Sequence, residues 1–94
     1  PPNQDDVDPQ AWYERQGRKT LEALIADLDS RGHHCLFLKE DGSICVRPMD
    51  GDEETVQDTL KGFPEKRLWA KLVKVLENAG LAAAAREDCI TVAW

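Results

Sequence analysis

Apolar residues in the second half of the chain first follow the spacing of an amphipathic helix and then the alternation of β-strands. A helix that begins at Pro64 or Glu65 would bury one apolar stripe, and Gly80 supplies its stop. The stripe consists of Leu68, Trp69, Leu72, Val73, Leu76 and Ala79. Beyond the glycine, the alternation predicts a hairpin formed by Leu81–Glu87 and Cys89–Trp94, with its turn on Glu87-Asp88. Because alanine favours helix, a helical Leu81–Glu87 is the alternative.

The first half repeats this order more loosely. A helix is predicted from Pro9 to about Ser30, with Asp8 as its N-cap and Gly32 just after its end. Two hairpin registers around Asp41-Gly42 are open, and the one that pairs Lys39 with Ser43 is preferred because it gives a wholly aliphatic inner face. That face holds Leu36, Leu38, Ile44 and Val46, and the other holds Cys35, Phe37, Lys39, Cys45 and Arg47.

Trp12 falls almost opposite the apolar stripe of the first helix when residues are placed 100° apart. Gly17 lies between Trp12 and that stripe, and a helix is expected to bend or break there. Two roles for Trp12 follow. Its ring could pack against the domain outside the main core, or it could be an aromatic anchor for a partner. The second role makes Trp12 a candidate binding residue whose loss would barely change stability.

Residues 49–57 form an acidic connection. A short helix is predicted to begin within it at about Asp52 and to end at about Gly62, burying Val56, Leu60 and Phe63. The fold class expected is α+β: two α-β-β units that form a four-stranded antiparallel sheet with helices packed on one face. The repeat-like halves cover 9–48 and 64–94 of a single domain at 9–94. Residues 1–8, rich in proline and aspartate, read as a flexible arm or linker.

The chain is acidic, with a formal net charge of −6, and this charge disfavours a phosphate backbone as the default partner. Residues 61–94 nevertheless carry a local excess of Lys and Arg. Arg67, Lys71 and Lys74 share one helix face and form a candidate nucleic-acid face, although a solvated face of an amphipathic helix gives the same pattern.

Three widely spaced cysteines favour structural thiols in a reducing, cytoplasmic setting over a disulfide framework or a zinc site. The chain contains no apolar run long enough to span a membrane. It also has no glycine-rich phosphate loop and no nucleophile elbow. No metal, cofactor or catalytic residue is therefore assigned.

One family resemblance rests on Gly32-His33-His34, the Asp41-Gly42 turn, and Val46 with Pro48. This pattern resembles HicA-type toxins, small ribonucleases of double-stranded-RNA-binding-domain-like fold with a catalytic histidine. The resemblance implies a ribonuclease that acts through His33 or His34. It ranks third among the hypotheses because the chain is acidic and lacks the strand that precedes the Gly/His segment in that family.

The leading hypothesis is a non-enzymatic interaction or regulatory module that binds another protein, with homodimerisation allowed by free strand edges. Acidic secretion chaperones and toxin-neutralising proteins are comparable in size and charge. A nucleic-acid-binding domain is the second hypothesis. The candidate partner-binding residues are Trp12, Phe37, Asp50, Asp52, Glu53 and Glu54.

Overall fold

The computed structural model describes residues 8–47 and 53–94. Its first helix has three consecutive parts: an α-helical turn over Pro9–Trp12, a π-helical turn over Tyr13–Gly17, and an α-helix over Arg18–Ser30. We call the three parts together α1. The side chain of Asp8 accepts a hydrogen bond from the Gln10 N–H, and Pro9 occupies the first turn. The predicted start of this helix is therefore confirmed.

Within the described ranges, five strands form one sheet in which every neighbouring pair is antiparallel. The strands are β1 Cys35–Lys39, β2 Ser43–Val46, β3 Thr55–Thr59, β4 Ala82–Ala85 and β5 Cys89–Ala93. Their order across the sheet is β3-β2-β1-β5-β4. The strand β1 is thus central and joins the two hairpins, and β3 and β4 are the edges.

Both hairpin predictions are confirmed. Leu38 pairs with Ile44 in β1 and β2, which is the register with the three-residue loop. In the second hairpin Ala85 pairs with Ile90, and the Arg86 N–H donates to the Cys89 carbonyl across the turn. The four alanines therefore form a strand and not a helix, because Gly80 ends the preceding helix and β5 offers them a ladder.

The predicted acidic helix is wrong over its central part, where the structure has the strand β3. Its sequence TVQDT carries three β-branched residues, which fit a strand better than a helix. The strand β3 also pairs with the edge of β2 that β1 leaves free, with a β-bulge between Ile44 and Cys45. The sheet accordingly has five described strands where four were predicted, and the first unit is α-β-β-β.

A second helix, α2, runs over Trp69–Asn78 after a 3₁₀ turn at Lys66–Leu68. Its buried residues and those of α1 belong to one hydrophobic cluster with the inner face of the sheet. That inner face contributes Leu36, Leu38, Ile44, Val46, Ile90 and Val92, each no more than 2% exposed. The α+β class and the placement of the helices on one face of the sheet are thus confirmed.

Candidate functional site

The face of the sheet opposite the helices carries a row of largely apolar residues, one from each strand. The strand register places Val56 opposite Cys45, Cys45 opposite Phe37, Phe37 opposite Thr91, and Thr91 opposite Ala84. Residues directly opposite each other project from the same side of a sheet. We call this row, Val56-Cys45-Phe37-Thr91-Ala84, the open-face band.

The open-face band departs from the usual pattern of a half-solvated antiparallel sheet, whose outer face is polar. Val56 is 61% exposed, more than any other large apolar side chain in the part described. Phe37, Thr91 and Ala84 are half-buried. Alanine and threonine at the β4–β5 end are small, so another backbone can approach that end of the face closely.

Two charged contacts border the band. Lys39 Nζ lies 2.9 Å from Glu54 Oε2, and this ion pair lies close enough to act electrostatically on the Cys45 thiol. The Arg47 guanidinium carbon lies 5.9 Å from the centre of the Phe37 ring, within cation–π range. The hydrogen bond to Glu54 raises the pKa of Lys39 above its ordinary value. Arg47 thus lies against the Phe37 ring, whereas Val56 at the β3 end of the band stays exposed.

Acidic residues gather at one end of the open face because the two hairpin turns lie side by side there. Lys39 pairs with Cys89, so the β1–β2 turn is next to the β4–β5 turn. Four carboxylates in these turns are exposed: Glu40, Asp41, Glu87 and Asp88. The Asp41 carboxylate accepts the Ser43 N–H at 2.9 Å, and this bond lowers the pKa of Asp41. A shallow cavity of about 480 Å³ joins this acidic end to Cys45 and Val56.

All three cysteines are free thiols on the open face. Cys35 is exposed, whereas Cys45 and Cys89 are buried. Burial raises the pKa of both buried thiols, and nearby carboxylates, Glu54 at Cys45 and Asp88 at Cys89, raise it further. Nucleophilic cysteines show the opposite shift, so Cys45 and Cys89 are held as neutral thiols.

We expect Cys35 to react first with a thiol reagent in the folded protein at neutral pH. Cys45 and Cys89 should react slowly, because burial limits access and keeps them neutral. Their raised pKa also means that the stability they contribute is complete below the ordinary thiol pKa and is lost as the pH rises through the raised value. Reaction time courses with 5,5′-dithiobis(2-nitrobenzoate) would measure the three rates, and urea denaturation at several pH values would measure the loss of stability. Replacing Cys35 by serine should remove the fast phase, and three equal rates would contradict the assignment.

Of the sequence-predicted partner residues, Phe37 and Glu54 lie on the open face. Glu53 precedes Glu54 and is exposed. Asp50 and Asp52 lie outside the described residues. Sequence reasoning placed Phe37 on this face but missed Val56 and Thr91. The alternation of CITVA contained the signal for Thr91, whereas Val56 required the unpredicted strand β3.

The interpretation of Trp12 as a residue outside the core is wrong, because Trp12 is only 2% exposed. Its indole Nε1 donates to the Lys61 carbonyl at 2.8 Å, and its ring meets Phe63 edge to face at 5.6 Å. The π-helical turn at Tyr13–Gly17 adds a residue to one turn, so a regular helical wheel loses its phase across it. The ring lies against Gly17, where a Cβ would stand 2.7 Å from it.

The candidate nucleic-acid face has exposed side chains but no feature that favours the role. Lys71 and Lys74 project from α2. Arg67 lies in the 3₁₀ turn and pairs with Glu65 at 2.7 Å. The nucleic-acid face stays a prediction.

His33 and His34 lie between α1 and β1, half-buried and exposed respectively. The His34 carbonyl accepts the Trp94 N–H at 3.1 Å, which ties this segment to the end of β5. Among residues 8–47 and 53–94, no group of three His, Cys, Asp or Glu side chains is arranged to hold a metal ion. The ribonuclease hypothesis is not tested by these positions.

A second concave surface lies between α1 and the start of β4. It encloses about 360 Å³ and is lined on its apolar side by Tyr13, Leu21, Ile25, Leu81 and Trp94. The buried Trp94 Nε1 has no hydrogen-bond partner among the described residues. Most of the residues that line this surface already belong to the core or pack on it, whereas the open-face band crosses the whole sheet. The open face is therefore the better candidate site.

Comparisons of the chain with protein-family models, curated proteins and solved structures gave no match. In the described part of the chain, no helix combines the length and the apolar character needed to cross a membrane.

Proposed function

We propose that this protein is a non-enzymatic interaction module whose open face binds an apolar segment of another protein that carries basic residues along one side. The observation that carries the proposal is the open-face band, with Val56 61% exposed at one end of it. Apolar surface gathered on one face of a small domain is typical of an interaction site.

The length of the band sets the size of the bound segment. Five strands span four inter-strand spacings of about 4.8 Å, or roughly 19 Å in total. An extended segment of about six residues, or a helix of about thirteen, covers that distance. Binding of such a segment would bury Val56 and Phe37 and would extend over the small side chains of Thr91 and Ala84.

Charge supports basic residues along one side of the partner segment. The acidic turns Glu40-Asp41 and Glu87-Asp88 lie at strand ends, so they border one long side of the band and neither of its ends. Lys or Arg on that side of a partner would be attracted to the turns, whereas the net charge of −6 would repel a phosphate backbone. The charges therefore favour a polypeptide over a nucleic acid as the partner.

The proposal contains no catalytic step and supposes a reducing, cytoplasmic compartment. Neutral Cys45 and Cys89 thiols are compatible with packing roles, and three free cysteines on one face suit a setting in which disulfides do not form. In such a module, regulation would consist of occupying or releasing the open face.

Selection from a phage-displayed library of random peptides on the immobilised wild-type protein would test the proposal. We expect enriched peptides to combine an apolar face with Lys or Arg along one side of it. Val56→Asp should weaken the binding of synthetic versions at least about tenfold, because it places a carboxylate inside the contact; a tenfold loss corresponds to about 1.4 kcal/mol. Val56 is exposed at an edge strand, so this variant should keep its fold, which circular dichroism would verify.

Ala23→Asp is the matched control, since it adds the same charge at an exposed position of α1 on the other side of the molecule. It should bind the selected peptides like the wild type. Failure to enrich any peptide family, or equal binding by Val56→Asp and wild type, would overturn the proposal. Enriched peptides without basic residues would contradict its electrostatic part.

A further inference from the structure

The two edges of the sheet differ in how well they are protected against pairing with another strand. The ladder between β3 and β2 is interrupted by a bulge, and β3 carries the charged Asp58. Bulges and edge charges are features that discourage edge-to-edge association. The β4 edge is four alanines in an unbroken register with β5. Within the described strands, β4 is thus an edge that lacks these features.

The free hydrogen-bonding groups of β4 follow from its ladder with β5. The Arg86 N–H donates to the Cys89 carbonyl, so Arg86 and Cys89 form a hydrogen-bonded pair. Hydrogen-bonded and non-hydrogen-bonded pairs alternate along an antiparallel ladder. The N–H and C=O of Ala82 and Ala84 therefore point toward β5, and those of Ala83 and Ala85 point away from it toward the free edge.

We propose that β4 pairs antiparallel with β4 of a second copy of this chain, about a two-fold axis at Ala83, to form a continuous ten-stranded sheet. The apolar run Leu81–Ala85 is centred on Ala83, so this register sets Ala83 opposite itself and Ala82 opposite Ala84 of the second copy. Arg86 and the acidic turn that follows it then lie outside the paired stretch. A segment that pairs apolar with apolar against its own copy is self-complementary, as a two-fold interface requires.

The helix above β4 supports a second copy as the occupant. Val75 and Asn78 of α2 line a cavity that α1 borders, so Val73 and Ala70 lie on the opposite flank of the helix. Because α2 packs on the edge strand β4, that flank borders the free edge. It presents a half-buried valine and an exposed alanine, small enough for two helices to approach to 8–10 Å. The nearby Lys74 and Glu77 supply one charge of each sign, which suits contact with an identical surface.

This pairing would also enlarge the open face. Ala84 ends the open-face band on β4, and the proposed register places it beside Ala82 of the second copy, which projects from the same side of the sheet. The two open faces then form one surface that contains two equivalent open-face bands, one from each copy. This consequence rests on the proposed function, whereas the pairing itself does not.

Sedimentation equilibrium from about 1 µM to about 1 mM covers the range in which small interfaces dissociate. We expect the wild type to show a monomer–dimer equilibrium and Ala83→Pro to stay monomeric over the same range. Proline removes the outward N–H of Ala83 and leaves the β4–β5 ladder intact, because that N–H points away from β5. Circular dichroism and a thermal melt would confirm that the variant folds.

Val56→Asp is the control for this experiment, since it changes the other edge strand and should leave the dimerisation constant unchanged. A monomeric wild type throughout the range, or an Ala83→Pro variant that dimerises like the wild type, would overturn the proposal. The two proposals fail separately, because Val56→Asp should weaken peptide binding at least about tenfold without affecting the dimer. Ala83→Pro should abolish the dimer while each monomer still binds peptide.

Disulfide formation would test the register. In a Cys35→Ser background, a mixture of Ala82→Cys and Ala84→Cys proteins should form a disulfide-linked heterodimer on mild oxidation. Those two positions face each other as a non-hydrogen-bonded pair, with Cα atoms about 4.5 Å apart. Neither protein should crosslink when oxidised alone. Efficient self-crosslinking of the Ala84→Cys protein would overturn the register centred on Ala83.

Discussion

Replacing Trp12 by alanine is expected to lower the free energy of unfolding by about 3–5 kcal/mol, the usual cost of removing a large buried aromatic side chain. Trp12 is 2% exposed and belongs to the core cluster. The variant would lose the edge-to-face contact with Phe63 and the hydrogen bond to the Lys61 carbonyl, and it would leave a cavity beside Gly17. Urea denaturation followed by circular dichroism would measure the loss.

Trp12→Phe separates the contributions to this loss. Phenylalanine keeps most of the ring and loses the indole N–H, so its cost should be clearly smaller than that of alanine. The hypothesis that Trp12 is an exposed partner anchor gives the opposite expectation, a loss of binding with unchanged stability. A Trp12→Ala protein as stable as the wild type would therefore contradict the burial described here.

Replacing Gly42 by alanine is expected to cost about 2–5 kcal/mol, which combines backbone strain of about 1–2 kcal/mol and steric overlap of about 1–3 kcal/mol. Gly42 has φ +90°, a conformation that L side chains rarely adopt. A Cβ at this position would also collide with the Leu60 carbonyl oxygen. The Leu60 N–H donates to the Gly42 carbonyl at 2.7 Å, so any shift of the turn would disturb the chain that follows β3.

Gly80→Ala is the matched control for this substitution. Gly80 has nearly the same backbone conformation, with φ +94°, but no atom of the described residues lies within 4 Å of a Cβ built there. Its replacement should cost only the conformational part, about 1–2 kcal/mol. Equal losses in denaturant melts of the two variants would show that the contact with Leu60 contributes nothing.

Local sequence signals predicted the parts of the fold that depend on local interactions. Asp8 caps α1, and Gly80 ends α2 before a strand. Both hairpin registers followed from turn type and side-chain alternation, because a one-residue slip would move a buried face into solvent. The same alternation placed Phe37 on the face away from the core.

The two wrong predictions, the acidic helix and the exposed Trp12, concern features that local sequence patterns do not decide. Val56, Leu60 and Phe63 have helical spacing, yet Val56 lies in β3 because β2 has an edge that this segment can pair with. Propensity alone was not decisive for so short a segment. Trp12 was misplaced because a π-helical turn lies between it and Leu21, and a wheel of constant pitch does not allow for such a turn.

The sequence by itself predicted the α+β class, the two hairpins with the registers that it favoured, and the position of Phe37 opposite the core. These features depend on residues close together in the chain, whose periodicity and turn chemistry can be read directly. Only the tertiary structure decided that β3 joins β2, that β1 pairs with β5, and that Trp12 is buried. The open-face band depends on all four strand pairings at once. It joins residues from Phe37 to Thr91, and contacts across such a distance depend on which strand edges and apolar surfaces remain to be satisfied once the local elements have formed.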